Sequence, residues 1–472
     1  MNAKVYLVGA GPGDSGLLTL RGYEVLKRSD VVIYDRLVND SILAMIPEHA
    51  IMIDAGKSSG NHTLTQRDIE SLMIEHAREG RVVVRLKGGD PFMFGRGGEE
   101  AESLMKAGID FEVVPGVTSA ISVPAYAGIP VTHRDYCSGI NIYTAHDKNN
   151  LIPELTNTAS IFLMGVSNSH ALQEKLLCSL SPDTPCAVIE RGTTSMQRVI
   201  HTRLDSLHDS VMTNHIEPPA VIITGNIADM NLNWRSHLPL RDKRIIITRP
   251  ESRAEELSRM LRDEGAEVIS MPTIKTSVIH HALDGINLSG YDWVGFTSVT
   301  GVNAFFELLC ESRKDIRELG HAKIAAIGNA TRDSLHAHGL NVDYIPDVFD
   351  GVHLAEGLSK MGGRILMFRA SEGTKEINNI FMKYGIAFTE VCIYRTDYVK
   401  LKHVPKFADI IIFTSASTVR GFTHNIDTMR DVIAVCIGSQ TAEEARREGF
   451  TRIRIAEGAS VIKLFEAVMS LA

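Results

Sequence analysis

The sequence predicts an α/β protein made of two successive two-lobed halves, the second internally duplicated and doubly wound. Three observations predict it. Short runs of valine and isoleucine alternate with helical periods along the whole chain. A polar stretch, Asn231-Leu-Asn-Trp-Arg-Ser-His-Leu-Pro-Leu-Arg-Asp-Lys243, follows neither period, carries Pro239 and reads as a linker. Beyond it the pattern repeats. Lys243-Arg-Ile-Ile-Ile-Thr-Arg249 aligns with Gly363-Arg-Ile-Leu-Met-Phe-Arg369, Phe296-Thr-Ser298 with Phe413-Thr-Ser415, and Ile327-Gly-Asn-Ala-Thr331 with Ile437-Gly-Ser-Gln-Thr441. The expected domains are residues 1–235 and 243–472 with a linker at 236–242. The second domain is expected to divide into one lobe from about 243–276 with 397–472 and another from 277–396, with a binding cleft between them.

In the first half, the β-branched runs Val5–Val8, Val31–Tyr34 and Val82–Arg85 read as strands. Leu17–Lys27, Gln66–Arg78, Glu99–Ala107 and Thr118–Ala127 read as helices. Glu99 and Glu100 stand in a first turn, where the helix dipole favours them. Further strands are expected at Ile140–Thr144, Ser160–Met164, Ala187–Glu190 and Ala220–Thr224.

Composition narrows the function. At 472 residues, 44% hydrophobic and 22% charged, the chain should form globular domains. A net charge of −8 argues against a general nucleic-acid binder, yet leaves room for a local basic cleft around an anionic substrate. The six cysteines include no Cys-x-x-Cys pair and read as reduced, mostly buried thiols. The eighteen histidines show no metal-ligand spacing, so no metal is expected, and His280-His281 reads as a solvated pair. No apolar run reaches membrane-spanning length and no signal peptide is expected, which makes the cytoplasm the expected compartment.

The most informative segment is Arg85-Leu-Lys-Gly-Gly-Asp-Pro-Phe-Met-Phe-Gly-Arg-Gly-Gly-Glu-Glu100. It packs five glycines and a proline into sixteen residues between a strand and a helix. Such a loop leaves backbone bare for a ligand at the carboxyl end of a strand. Gly9-Ala-Gly-Pro-Gly-Asp14 is a second glycine loop. It is no dinucleotide fingerprint, because Asp14 replaces the last glycine and Pro12 lacks the N–H that a pyrophosphate turn needs. On position alone, Asp35 reads as a helix cap or a catalytic carboxylate, and Met164 as a core residue. In the second half, the hydroxyl pairs Thr297-Ser298, Thr300-Gly301, Thr414-Ser415 and Ser439-Gln-Thr441 open helices. Each alone is an ordinary cap; placed symmetrically, they suit a polyanionic ligand.

The ordered motifs Val5–Asp14, Tyr34-Asp-Arg-Leu-Val38, Arg85–Glu100, Val114-Pro-Gly-Val-Thr-Ser-Ala120, Ala125-Tyr-Ala-Gly-Ile-Pro130 and Glu190-Arg-Gly-Thr193 resemble the uroporphyrinogen-III C-methyltransferases. These belong to the tetrapyrrole methylase superfamily, and the resemblance spans residues 1–235. It implies the two-lobed tetrapyrrole methylase fold with S-adenosylmethionine between the lobes, and a homodimer. The donor site it implies comprises Pro12, Gly88, Gly89, Asp90, Met93, Thr118, Ser119, Met164 and Gly192, with Asp35 as proton acceptor and Lys57 as proton donor. The chain departs from that pattern after Lys57, where a basic residue is missing, and at Ala145, which replaces a glycine.

The second-half motifs, with Thr248-Arg-Pro250, Ala326-Ile-Gly328, Tyr394-Arg-Thr396 and Ala434–Thr441, resemble uroporphyrinogen-III synthase, although Thr300 stands where that family often has asparagine. This implies closure of hydroxymethylbilane with inversion of its last ring. Tyr394 would assist, and Arg249, Thr297, Ser298, Thr414, Ser415 and Thr441 would meet the substrate. The fusion would then deliver precorrin-2 toward sirohaem and cobalamin, with Arg36, Arg134, Arg191 or Arg249 among the partners of the substrate carboxylates. The alternative is an active methyltransferase whose second half is a tetrapyrrole-binding or sensor module.

Overall fold

A computed structural model describes residues 4–56, 64–137, 139–145, 158–373 and 375–472. The first lobe is a five-stranded parallel sheet of β1 (Val5–Gly9), β2 (Val31–Tyr34), β3 (Ile51–Asp54), β4 (Val83–Lys87) and β5 (Phe111–Val114), in the order β3-β2-β4-β1-β5. Both faces are covered. Tyr6, Val8, Val32 and Leu86 enter one core, while Val5, Leu7, Ile33 and Val83 enter the other. A strand buried on two sides reads as an unbroken apolar run, which is why β1 and β2 were legible. Each such side chain contributes about 1.5–3 kcal/mol when fully buried.

The helix Gln66–Arg78 has the bounds read from the sequence. Its start is fixed by a reciprocal capping box, in which Thr65 accepts from the Asp68 N–H and Asp68 from the Thr65 N–H. The helix expected from Leu17 begins at Leu20 instead, because the Thr19 hydroxyl caps it by accepting from the Gly22 N–H.

The second lobe holds β6 (Ile140–Thr144), β7 (Ala159–Leu163), β8 (Pro185–Glu190), β9 (Arg198–Arg203) and β10 (Ala220–Thr224), ordered β6-β7-β10-β8-β9. Only β6 and β7 run parallel; the other pairings are antiparallel.

The second half contributes β11 (Arg244–Ile247), β12 (Glu267–Ser270), β13 (Ile274–Val278), β14 (Trp293–Phe296), β15 (Lys323–Ala326), β16 (Ile365–Ala370), β17 (Phe388–Tyr398), β18 (Ile410–Phe413), β19 (Ile433–Cys436) and β20 (Ile453–Ile455). They form two five-stranded sheets. The order β12-β11-β18-β19-β20 is wholly parallel. The order β13-β17-β16-β14-β15 is parallel except for β13, which runs against β17. The sequence repeat is visible in these orders, since β11, β18 and β19 occupy one sheet as β16, β14 and β15 occupy the other. Two compact units result: residues 1–272 with 400–472, and Thr273–Val399.

The stretch read as a linker is tied down at both ends. Trp234 Nε1 donates to the Ala125 carbonyl at 2.8 Å, and Leu240, fully buried, donates its N–H to Glu264 at 3.0 Å. All six cysteines are free. Cys137, Cys186 and Cys436 are buried, Cys392 is half-buried, and Cys178 and Cys310 are exposed. Burial pushes the Cys186 and Cys436 thiols up to about 12, which makes both poor nucleophiles. Among the described residues, no helix is long and apolar enough to cross a membrane, and no group of three or more His, Cys, Asp or Glu is arranged to hold a metal.

Candidate active site

Because β1–β5 are parallel, their carboxyl ends share one edge of the first sheet. That edge carries the loops singled out by the sequence: Ala10–Asp14 after β1, Asp35 after β2, Ala55-Gly56 after β3, Gly88–Arg96 after β4 and Pro115–Thr118 after β5. Lys57 falls outside the described residues.

Three of these loops meet backbone to backbone. Gly11 and Gly89 exchange N–H···O bonds of 3.1 and 2.7 Å, both in the left-handed region at φ +76° and +69°. A Cβ on Gly116 would fall 2.3 Å from the Gly89 carbonyl oxygen, and one on Gly9 would fall 2.5 Å from the Gly116 Cα. Asp90 holds the junction. Its Oδ2 accepts from the Gly116 N–H at 3.0 Å and its Oδ1 from the Phe92 N–H at 2.8 Å. The carboxylate therefore serves first to fix the loops, with lone pairs left over for a ligand.

The second lobe joins the same edge through Gly192-Thr193. Thr193 Oγ1 accepts from the Asp14 N–H at 3.2 Å, and a Cβ on Gly192 would meet Val123 at 2.4 Å. Thr118 caps the helix Ser119–Tyr126. The structure thus links the loops carrying Pro12, Gly88, Gly89, Asp90, Thr118, Ser119 and Gly192. Met93 lies half-buried in the β4 loop, and Met164 directly follows β7, outside this set of contacts. Met164 is 50% exposed, which removes its core reading. Non-glycine residues on or beside these loops are left-handed, Phe94, Arg96, Arg191 and Thr193 at φ +52°, +60°, +46° and +69°, as is Met164 after β7 at +58°. Such strain gathers where a site over-determines the backbone.

Beside the glycines lies a buried charge cluster. Asp35 Oδ1 accepts from Arg85 Nη2 at 2.5 Å; Arg85 Nε and Lys87 Nζ each donate to Glu100 Oε1 at 3.0 Å; and Lys87 Nζ stands 4.0 Å from Asp35 Oδ2. The side chains of Glu100, Arg85 and Lys87 are 0%, 3% and 3% exposed, whereas Asp35 is 31% exposed. Burial works against the Arg85 charge, but Asp35 and Glu100 outweigh it and hold its pKa above the ordinary value. For Lys87, burial and then the Arg85 charge prevail, lowering the ammonium below its usual range. Asp35 does not cap a helix, since Asn39 caps the next one. It is the solvent-facing member of an otherwise buried set, held by the Arg85 guanidinium.

From sequence, Arg85 and Lys87 carry no assigned role and Glu100 reads only as a first-turn carboxylate. A signal was available: Arg85 and Lys87 sit two apart on an apolar strand, hence on one face.

Comparison with known proteins bears on both halves. The family model described as Tetrapyrrole (Corrin/Porphyrin) Methylases matches residues 4–208, and that described as Uroporphyrinogen-III synthase HemD matches 255–466. The Porphyrin biosynthesis protein HemD of Ruminiclostridium josui is 38% identical, over 99% of this chain and 98% of that protein. The chain belongs to this family of fused tetrapyrrole methylases and uroporphyrinogen-III synthases. The Uroporphyrinogen-III C-methyltransferase of Bacillus subtilis (strain 168) is also 38% identical, over 76% of this chain and 78% of that protein. The Siroheme synthase of Edwardsiella ictaluri (strain 93-146) is 44% identical, over 49% of this chain and 51% of that protein.

In the synthase half, the singled-out hydroxyls again follow strands. In the unit Thr273–Val399, Thr297 and Ser298 follow β14. Ser298 Oγ caps the helix Val299–Glu311 by accepting from the Gly301 N–H at 2.9 Å. Tyr394, on β17 and 9% exposed, places its hydroxyl 2.9 Å from that same Ser298 Oγ. The structure therefore brings together two residues that the sequence reading chose separately. In the other unit, Arg249 follows β11, and Thr414 and Ser415 follow β18. Ser415 caps the helix Ala416–Asn425 in a box with Thr418. Thr441 is buried, 4% exposed, in the first turn of the helix Ser439–Arg447.

Proposed function

We propose that the chain closes hydroxymethylbilane to uroporphyrinogen III with inversion of ring D, then methylates it at C2 and C7 with S-adenosylmethionine to give precorrin-2. The observation that carries the methyltransferase reading is Asp35, the one solvent-facing member of the buried charge cluster, on the same sheet edge as the glycine loops. Gly9, Gly11, Gly89 and Gly116 let those loops pack backbone to backbone, which fixes the Gly88–Asp90 turn at the edge where the donor is proposed to bind. S-adenosylmethionine supplies an electrophilic methyl group when bound. The methylated macrocycle must then shed a proton, and its proposed acceptor is the Asp35 carboxylate, which Arg85 orients. Met93 and Met164 offer adaptable apolar contact to the donor, Gly88 and Gly89 offer backbone groups, and Lys57 remains the proposed proton donor.

The reading includes a cytoplasmic location, as the sequence pattern suggests, and sirohaem and cobalamin as destinations with a homodimer through residues 1–235, as the family resemblance implies. It is tested by supplying uroporphyrinogen III and a methyl-labelled donor to the full chain. Uptake of two labels per macrocycle is expected; no uptake by folded protein overturns the reading.

In the synthase half, the substrate ionises readily, so the protein chiefly has to fold it and direct closure. The Tyr394 hydroxyl is the proposed participant. Tyr394→Phe should leave the fold intact, because Ser298 keeps its capping bond to Gly301. It should lower synthase turnover by roughly 10²-fold. Unchanged turnover would remove this hydroxyl from the mechanism, whereas a folded wild-type chain that does not turn over hydroxymethylbilane would favour the sensor alternative.

A further inference from the structure

Two loops of the methylase half are held by residues of the synthase half. Arg244, the first residue of β11, donates from Nη1 to Asp40 Oδ2 at 2.9 Å and from Nη2 to Glu267 Oε1 at 2.7 Å, with its guanidinium over the Phe407 ring at 4.3 Å. Glu267, the first residue of β12, accepts from Asn39 Nδ2 at 3.0 Å on one oxygen. On the other it accepts from the Ser195 N–H and hydroxyl at 2.9 and 2.6 Å. His403 Nε2 lies 2.6 Å from Asp40 Oδ1. The Arg244 and Glu267 side chains are 8% and 7% exposed.

The placement of these contacts is what matters. Asn39 and Asp40 open the helix that directly follows Asp35, and Ser195 directly follows Gly192–Thr194. Glu267 therefore bonds at once to the segment after the proton acceptor and to the segment after the donor loop. Burial alone would raise both carboxyls. The His403 bond and the Arg244 charge hold Asp40 below its ordinary range, and the Arg244 charge with the Ser195 bonds does the same for Glu267. The ionised network is thus the stable form.

We propose that Arg244 and Glu267 are positioning residues for methyl transfer: the synthase half sets the relation between the Asp35–Asp40 loop and the Gly192–Ser195 loop of the methylase. The proposal rests on the methyltransferase reading above. It makes the synthase half a structural part of the methylase site rather than a passenger, without contact to the reacting atoms. A displacement of about 1 Å at a reacting centre can cost as much as 10²-fold in rate, so a loosened pair of loops should be visible in kinetics.

The test uses the full chain and separately prepared uroporphyrinogen III, with Glu267→Ala, Glu267→Gln and Asn39→Asp. Asn39→Asp keeps the helix cap but turns a donor toward Glu267 into a second carboxylate. Glu267→Ala should lower kcat for methyl transfer by about 10- to 100-fold and raise the donor KM, with synthase turnover unchanged. Glu267→Gln, which still accepts from Ser195, should recover part of the loss. If Glu267→Ala does not fold, Asn39→Asp is read in its place and should show the same split. Folded variants with wild-type methyl-transfer kinetics, or with equal losses in both activities, overturn the proposal. Failure of the wild-type chain to methylate uroporphyrinogen overturns the functional reading instead.

Discussion

Asp35→Ala should slow methyl transfer by roughly 10²- to 10⁴-fold, the range that a lost general base costs, while donor binding stays within a few-fold of wild type. The fold should survive the change. Asp35 is partly exposed, and its partner Arg85 keeps the bond to Glu100, so no buried cation is left unpaired. The glycine junction does not depend on Asp35 either, because Asp90, Gly11 and Gly116 hold it. Calorimetric titration with S-adenosylmethionine beside turnover on uroporphyrinogen separates the roles. Equal loss of binding and turnover would reassign Asp35 to structure.

Glu100→Ala should destabilise the methylase half by about 3–5 kcal/mol, the usual cost of removing one partner from a buried ion pair. Glu100 is fully buried and its Oε1 accepts from Arg85, Lys87 and Gln66. Without it, two buried cations face only Asp35, on the solvent side of the cluster. The first thermal transition should fall by roughly 10 °C, read with and without donor. Glu100→Gln should fall less, because the amide oxygen still accepts. A transition within about 2 °C of wild type for Glu100→Ala would mean the cluster is not what holds this edge together.

How much was legible depended on where each signal sits along the chain. β1 and β2 could be read from local apolar runs, and the Gln66–Arg78 helix was read with the bounds that the Thr65–Asp68 capping box fixes in the structure. β3 was missed because Ile51-Met-Ile-Asp54 is an edge strand with its end residues exposed, so it lacks a buried run. The sequence reading ended the third expected strand at Arg85, whereas β4 continues to Lys87. A lysine can stay in a buried strand there because Glu100 neutralises it from the next helix.

The glycine loops were visible because close backbone approach demands glycine locally. What each loop touches was not visible. Arg85 meets Asp35 across fifty positions, and Ser195 meets Glu267 across seventy-two. Pairings of that kind are decided by sheet order, which periodicity does not encode.

In the proposed function, one chain carries one reaction sequence. Incubating the full protein with hydroxymethylbilane and S-adenosylmethionine, then measuring product mass, tests it most directly. The predicted result is a cyclised tetrapyrrole of the inverted isomer carrying two added methyl groups. A folded protein that releases only unmethylated macrocycle, or that leaves hydroxymethylbilane to close without inversion, would contradict it.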